Sequence, residues 1–160
     1  MRIGVVSDTH NNLRNVARVV EIFNDCGVDR VVHTGDVTQA KTLAAFAGLR
    51  CRLVGVFGNN DERRTLRDAA DGLGFELHDA PLEIVWHRRR IVVVHDPRDL
   101  ADLPGDAHDV ALHGHTHRHV LERDRGRLVF NPGESAGHMP GRNTVGVLDL
   151  ESLEVELLHF

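Results

Sequence analysis

Residues 2–12 read Arg2-Ile3-Gly4-Val5-Val6-Ser7-Asp8-Thr9-His10-Asn11-Asn12. A short apolar run is cut off by an acid, a histidine and two asparagines, the pattern of a buried strand running into a loop. Leu13, Val16, Val20 and Phe23 then recur at helical spacing, with Asn12 suited to cap the helix and Gly27 to end it. The unit repeats. Arg30–His33 ends in Thr34-Gly35-Asp36 and leads into a helix through Lys41–Ala47, stopped by Gly48. Arg52–Phe57 ends in Gly58-Asn59-Asn60-Asp61 and leads into a helix over about Glu62–Asp71. Three strand–helix units at this spacing predict a parallel sheet with crossover helices.

After Gly74 the pattern changes. Leu82–His87 and Arg90–His95 read as a hairpin with a basic turn, Arg88-Arg89-Arg90, whose charges suit a solvated face. Val110–His113 reads as a short strand. Val120–Arg123 and Leu128–Phe130 flank a turn at Asp124-Arg125-Gly126, and Thr144–Leu150 with Leu153–Leu158 makes a last hairpin. The second half is expected to be β-rich and largely antiparallel. The chain as a whole reads as α/β: two mixed sheets packed together with helices outside, in one domain spanning residues 1–160.

Composition narrows the function classes. Apolar residues make up 41% of the 160 positions, enough for a core that needs no disulfide staples. The net charge of −5 gives no global attraction to nucleic acid or anionic membrane. No apolar run approaches the ~20 residues of a membrane span. The first run is broken at Asp8, short of the about 7–15 apolar residues of a signal peptide. A cytoplasmic location is therefore expected, with Cys26 and Cys51 as a reduced, buried pair. Twelve histidines point to a titrating surface or to metal binding.

Position separates those two. Five apolar strands end in polar residues of one kind of chemistry: Asp8-Thr9-His10, Gly35-Asp36, Gly58-Asn59, His95-Asp96 and Gly114-His115-Thr116-His117. In open α/β sheets that edge is where ligands bind. Asp8, His10, Asp36, Asn59, His95, His115 and His117 offer only oxygen and nitrogen. Seven donors exceed one small cation but suit two, with a bridging carboxylate giving each four protein ligands. Mixed imidazole and carboxylate sets suit manganese first, with iron, zinc, nickel or cobalt as alternatives, and the absence of thiolate disfavours copper(I) and iron–sulfur clusters.

These residues carry a family resemblance. Asp8-x-His10, Gly35-Asp36, Gly58-Asn59, His95 and Gly114-His115-x-His117, in that order, resemble the calcineurin-like metallophosphoesterases, and the short chain looks like their compact bacterial and archaeal phosphodiesterase branch. The resemblance runs from Asp8 to about Pro140 and includes Asn131-Pro132-Gly133. Each piece alone is common; the ordered set is specific. It implies a four-layer α/β/β/α sandwich. It implies one metal on Asp8, His10, Asp36 and His117 and another on Asp36, Asn59, His95 and His115, with Asp36 bridging and Asp36 and Asn59 serving catalysis as well.

The implied reaction is hydrolysis of a small or nucleotide-like phosphodiester. Two cations ~3.5–4 Å apart neutralise the phosphoryl oxygens, and a hydroxide held between them attacks phosphorus in line. Two departures stand out. Asn60 follows Gly58-Asn59 where phosphatase-type relatives carry a general-acid histidine, as is usual for the compact branch. His95-Asp96-Pro97 replaces the His-Gly-His of many relatives. Rival readings are a phosphomonoesterase on the same centre and a non-catalytic scaffold resembling vacuolar sorting protein 29; such scaffolds tend to lose ligand histidines, which stand here. His33, His113 and His119 fall beside the site as supporting or simply packed residues. His78, His87, His108, His138 and His159 read as surface, with His138 in a Gly/Pro-rich loop within reach of a substrate. The partners this reading allows are a small phosphodiester substrate and further copies of the chain in a homo-oligomer.

Overall fold

A computed structural model describes every residue except Arg125 and Pro140. Eleven strands among the described residues form two sheets. The first contains β1 (Arg2–Val6), β2 (Arg30–His33), β3 (Arg52–Val56), β4 (Glu76–His78), β10 (Thr144–Asp149) and β11 (Val155–His159), in the order β11-β10-β1-β2-β3-β4. β1 to β4 run parallel, and the β10–β11 hairpin is antiparallel on the other flank. The second contains β5 (Leu82–Trp86), β6 (Arg89–Val93), β7 (Val110–Leu112), β8 (Val120–Asp124) and β9 (Arg127–Asn131), in the order β5-β6-β7-β9-β8.

The second sheet corrects one expectation. Only its two hairpins, β5–β6 and β8–β9, are antiparallel; β6–β7 and β7–β9 are parallel. The parallel pairs matter for function, because they aim the C-terminal ends of β6 and β7 at the same edge as those of β1 to β3. The short β4 has no counterpart in the sequence pattern. Arg125 of the predicted β8–β9 turn lies outside the described residues, as does Pro140 at the end of the resemblance.

Alternation of side chains sorts the core into layers. On β1 and β2, Ile3, Val5 and Val32 face the second sheet, where they meet Ile91, Val93, Val110, Leu112 and Phe130. Val6 and Val31 face the helices and meet Val16, Val19, Phe23 and Phe46. α1 (Leu13–Cys26) starts at Asn12, whose side chain accepts from the Asn15 N–H, and stops at Gly27 in the left-handed conformation, as its sequence predicts. α2 (Ala40–Ala44) is short and continues as a 3-10 turn over Ala45–Gly48; α3 spans Arg63–Leu73. The outer face of the second sheet, Val92, Val94, Ala111 and Val129, is covered by the 3-10 helix Pro97–Leu100 through Leu100. The result is a sandwich of two mixed sheets flanked by helical layers, the outer one reduced to a single turn. No helix among the described residues is long and apolar enough to cross a membrane.

Candidate metal centre

The loops after β1, β2, β3, β6 and β7 converge at one edge of the sandwich and are laced together by their backbones. Asp8 N–H donates to Gly35 C=O at 3.1 Å, His10 N–H to Asp36 C=O at 3.1 Å, and Gly114 N–H to His95 C=O at 3.0 Å. Space is scarce. A Cβ at Gly35 would stand 2.5 Å from His95 Nδ1, and one at Gly114 would collide with Ser7 Oγ. Five of the seven predicted donors, Asp8, His10, Asp36, His115 and His117, hold φ between 38° and 67°. That left-handed backbone disfavours any residue with a Cβ and persists only where the surroundings enforce it.

All seven side chains meet. Asp8 Oδ1 lies 3.4 Å from His117 Nε2 and 3.7 Å from His10 Nε2, and the two imidazole nitrogens face each other at 3.3 Å. A second group has Asn59 Oδ1 3.0 Å from both His95 Nε2 and His115 Nδ1. Between the groups stands Asp36: its Oδ2 is 3.4 Å from His10 Nε2 and 3.5 Å from His95 Nε2.

Proton placement decides what these contacts are. His95 Nδ1 lies 2.9 Å from Thr34 C=O, which can only accept, so the proton sits on Nδ1 and Nε2 offers a lone pair to the centre. His117 Nδ1 sits 2.6 Å from Glu134 Oε2, which fixes its Nε2 in the same way. Asp8 Oδ1 is buried and receives no hydrogen bond. The His95 and His117 lone pairs therefore point into the centre beside an unpartnered carboxylate oxygen, an arrangement that a cation satisfies. The carboxylates are held in the ionised form. Burial pushes Asp36 up, but the neighbouring His95 imidazole and two hydrogen bonds from Asn60 outweigh it and hold the carboxyl well below its ordinary value. Asp8 is likewise lowered: against burial stand the neighbouring His10 imidazole and a hydrogen bond from Ser7. His10 is raised by its contact with Asp8.

Several residues outside the seven predicted donors also shape the site. Glu134 is fully buried, holding His117 with Oε2 and accepting from Met139 N–H at 2.7 Å with Oε1. Asn60, which stands where a general-acid histidine occurs in phosphatase-type relatives, donates from its backbone N–H and its side-chain amide to the two Asp36 oxygens at 2.9 and 2.8 Å. It fixes the central carboxylate. Asp61 accepts from the backbone N–H groups of Gly58, Thr38 and Asp36, tying the β2 and β3 loops together. Asp96 is anchored by Arg98, with its Oδ2 3.6 Å from His115 Nε2. Asn131 braces the β7 loop by donating to Gly114 C=O at 2.9 Å.

The other histidines fall as expected apart from His108. His33 is buried against Phe46 with its Nδ1 accepting from Gly35 N–H. His108, expected at the surface, is buried and pairs with Glu83 at 3.2 Å. His138 is exposed but belongs to the site, stacked on His117 with ring centroids 5.4 Å apart. Cys26 and Cys51 are free thiols, half-buried rather than buried. A cleft of 540 Å³ opens over Asn59, His95 and His115, walled by Arg63 and Arg98.

Residues 1–153 match the calcineurin-like phosphoesterase superfamily domain. The chain is 34% identical over 165 positions to phosphodiesterase MJ0936 of Methanocaldococcus jannaschii, covering 96% of each protein. The structure of a novel archaeal phosphodiesterase superposes with a TM-score of 0.93 at 32% identity over 100% of both chains. Zinc-complexed Vps29 of Entamoeba histolytica shares the fold, with a TM-score of 0.71 at 18% identity over 100% of this chain and 98% of that one. On this match of sequence and fold, the chain belongs to the calcineurin-like phosphoesterase superfamily.

Proposed function

We propose that residues 1–160 form one dinuclear metal-dependent phosphodiesterase domain, a cytoplasmic enzyme acting on small or nucleotide-like phosphodiesters. Family membership makes the chain a phosphoric ester hydrolase that uses divalent metal ions. The finer reading rests above all on Asp36, whose Oδ2 is shared between His10 on one side and His95 on the other at nearly equal distance. One group would be Asp8, His10, His117 and Asp36; the other Asp36, Asn59, His95 and His115. Manganese suits this set of imidazole, amide and carboxylate donors. Two divalent ions supply charge neutralisation at the phosphoryl oxygens and a water of lowered pKa. The chain's own part is to hold the donors ready. Thr34 C=O and Glu134 set the His95 and His117 tautomers, Asn60 fixes Asp36, and the glycine-lined loops keep the centre compact.

The phosphodiester preference is supported by the relatives of similar length and by the occupation of the general-acid position by Asn60. The scaffold reading fits less well, because every donor of both groups is retained and orientated. Protein purified without chelator should carry transition metal and, loaded with Mn²⁺, Ni²⁺ or Co²⁺, should turn over bis-p-nitrophenyl phosphate faster than p-nitrophenyl phosphate. A monoester preference would assign the chain to the phosphomonoesterases, and no turnover with any of the three metals would sink the enzyme reading.

A further inference from the structure

A second cleft adjoins the centre on the side of His117. It encloses 730 Å³ between the β7–β8 loop, Met139 and Arg142, and β11. His117 forms one wall. Arg118, His119, Arg142 and His159 supply the polar lining, and Met139 and Leu157 the apolar floor. No carboxylate lines it among the described residues.

The two clefts differ in charge. In the cleft over Asn59, each arginine is already neutralised: Arg63 by Asp79, and Arg98 by Asp96 at 2.9 Å. In the cleft beside His117, the guanidinium groups of Arg118 and Arg142 make no hydrogen bond or ion pair with any described residue; only their backbone N–H groups are engaged. Two unpaired arginines lining one concave surface, in a chain of net charge −5, make a local anion site, since guanidinium pairs strongly and bidentately with phosphate oxygens.

We infer that the substrate is an unsymmetrical phosphodiester whose one arm carries a second anionic group, a phosphate monoester, seated between Arg118 and Arg142, while a neutral polar arm lies over Asn59 and His115. The inference rests on the phosphodiesterase reading for the position of the scissile phosphate, but the anion site itself does not. The floor of Met139 and Leu157 suits the apolar face of a sugar or base between the two phosphates.

The test compares diadenylate bearing a 5′-phosphate with diadenylate lacking it. In metal-stripped protein the phosphorylated dinucleotide should bind at least about tenfold more tightly by calorimetry, as expected for charge-assisted pairing with two arginines. In the Mn²⁺-loaded enzyme its kcat/KM should be higher by a similar factor. Arg118→Ala combined with Arg142→Ala should bring both ratios to about one. Because the readout is a ratio, a general loss of activity in the variant does not disturb the comparison, and circular dichroism checks its fold. Equal binding of the two dinucleotides by the wild type, or a preference that survives the double substitution, overturns the anion site. Absence of bis-p-nitrophenyl phosphate turnover overturns the phosphodiesterase reading instead, and the binding ratio in stripped protein still decides the cleft.

Discussion

His117 Nδ1 donates a hydrogen bond of 2.6 Å to Oε2 of Glu134, a carboxylate with no exposure to solvent. The pair joins residues seventeen apart in sequence and leaves the other imidazole nitrogen as a lone pair facing Asp8 and His10. Partners of this kind typically contribute about 10–100-fold to metal affinity. Glu134→Ala should therefore weaken binding at the Asp8–His10–His117 group by about that factor in a chelator competition. Glu134→Gln, which keeps an acceptor oxygen, should recover part of it. Unchanged metal affinity in Glu134→Ala would remove the residue from the site.

Asp61 predicts a stability effect separate from metal. Its carboxylate satisfies three backbone N–H groups, and removal leaves them short of partners in a crowded loop. Asp61→Ala should destabilise the metal-free protein by about 2–4 kcal/mol, read as a lower urea midpoint. Asp61→Asn, still able to accept some of these bonds, should lose less.

His33 sets part of the acid limb of stability. Burial pushes its imidazole down from 6.5 to about 4. A histidine that stays neutral when folded but takes a proton when unfolded favours the unfolded chain as pH falls. Its contribution is complete above pH 6.5 and is lost progressively between 6.5 and about 4. The full loss is about 3 kcal/mol at 1.36 kcal/mol per pKa unit. His33→Gln in chelator-treated protein should flatten the decline in unfolding free energy across that window; an unchanged slope would show that other groups carry it.

Metal removal should lower thermal stability. The stripped centre leaves Asp8 Oδ1 buried without a hydrogen-bond partner and crowds the acids and imidazoles together with nothing between them. A ligand at about 1,000 times its Kd adds about 4 kcal/mol, worth about 10 °C in Tm for a domain of this size. Scanning calorimetry of stripped and Mn²⁺-loaded protein checks it.

Much of this is legible in the chain because apolar runs end abruptly. Val5-Val6-Ser7-Asp8, Val31-Val32-His33 and Val92-Val93-Val94-His95 each mark a buried strand and the polar residue at its exit, and α1 carries both its cap at Asn12 and its stop at Gly27. What escapes has no local signal. β4 has one apolar residue, Leu77, and is a strand only because β3 offers an edge. The parallel β6–β7 and β7–β9 pairings join strands separated by long connections, where no turn signal marks the partner. Glu134 and Asp61 look like ordinary loop acids; only contacts across the fold, with His117 and Met139 for one and with three loop N–H groups for the other, give them their work. The left-handed backbone at Asp8, Asp36 and His117 is likewise imposed from outside the local sequence.

The central claim is that Asp36 holds two metal ions at once. Titration of Mn²⁺ into chelator-stripped protein, followed by elemental analysis after gel filtration, should give about two equivalents per chain for the wild type, as a paired centre requires. Asp36→Asn should weaken both together. A single equivalent in the wild type, or two that Asp36→Asn leaves undisturbed, would contradict the account.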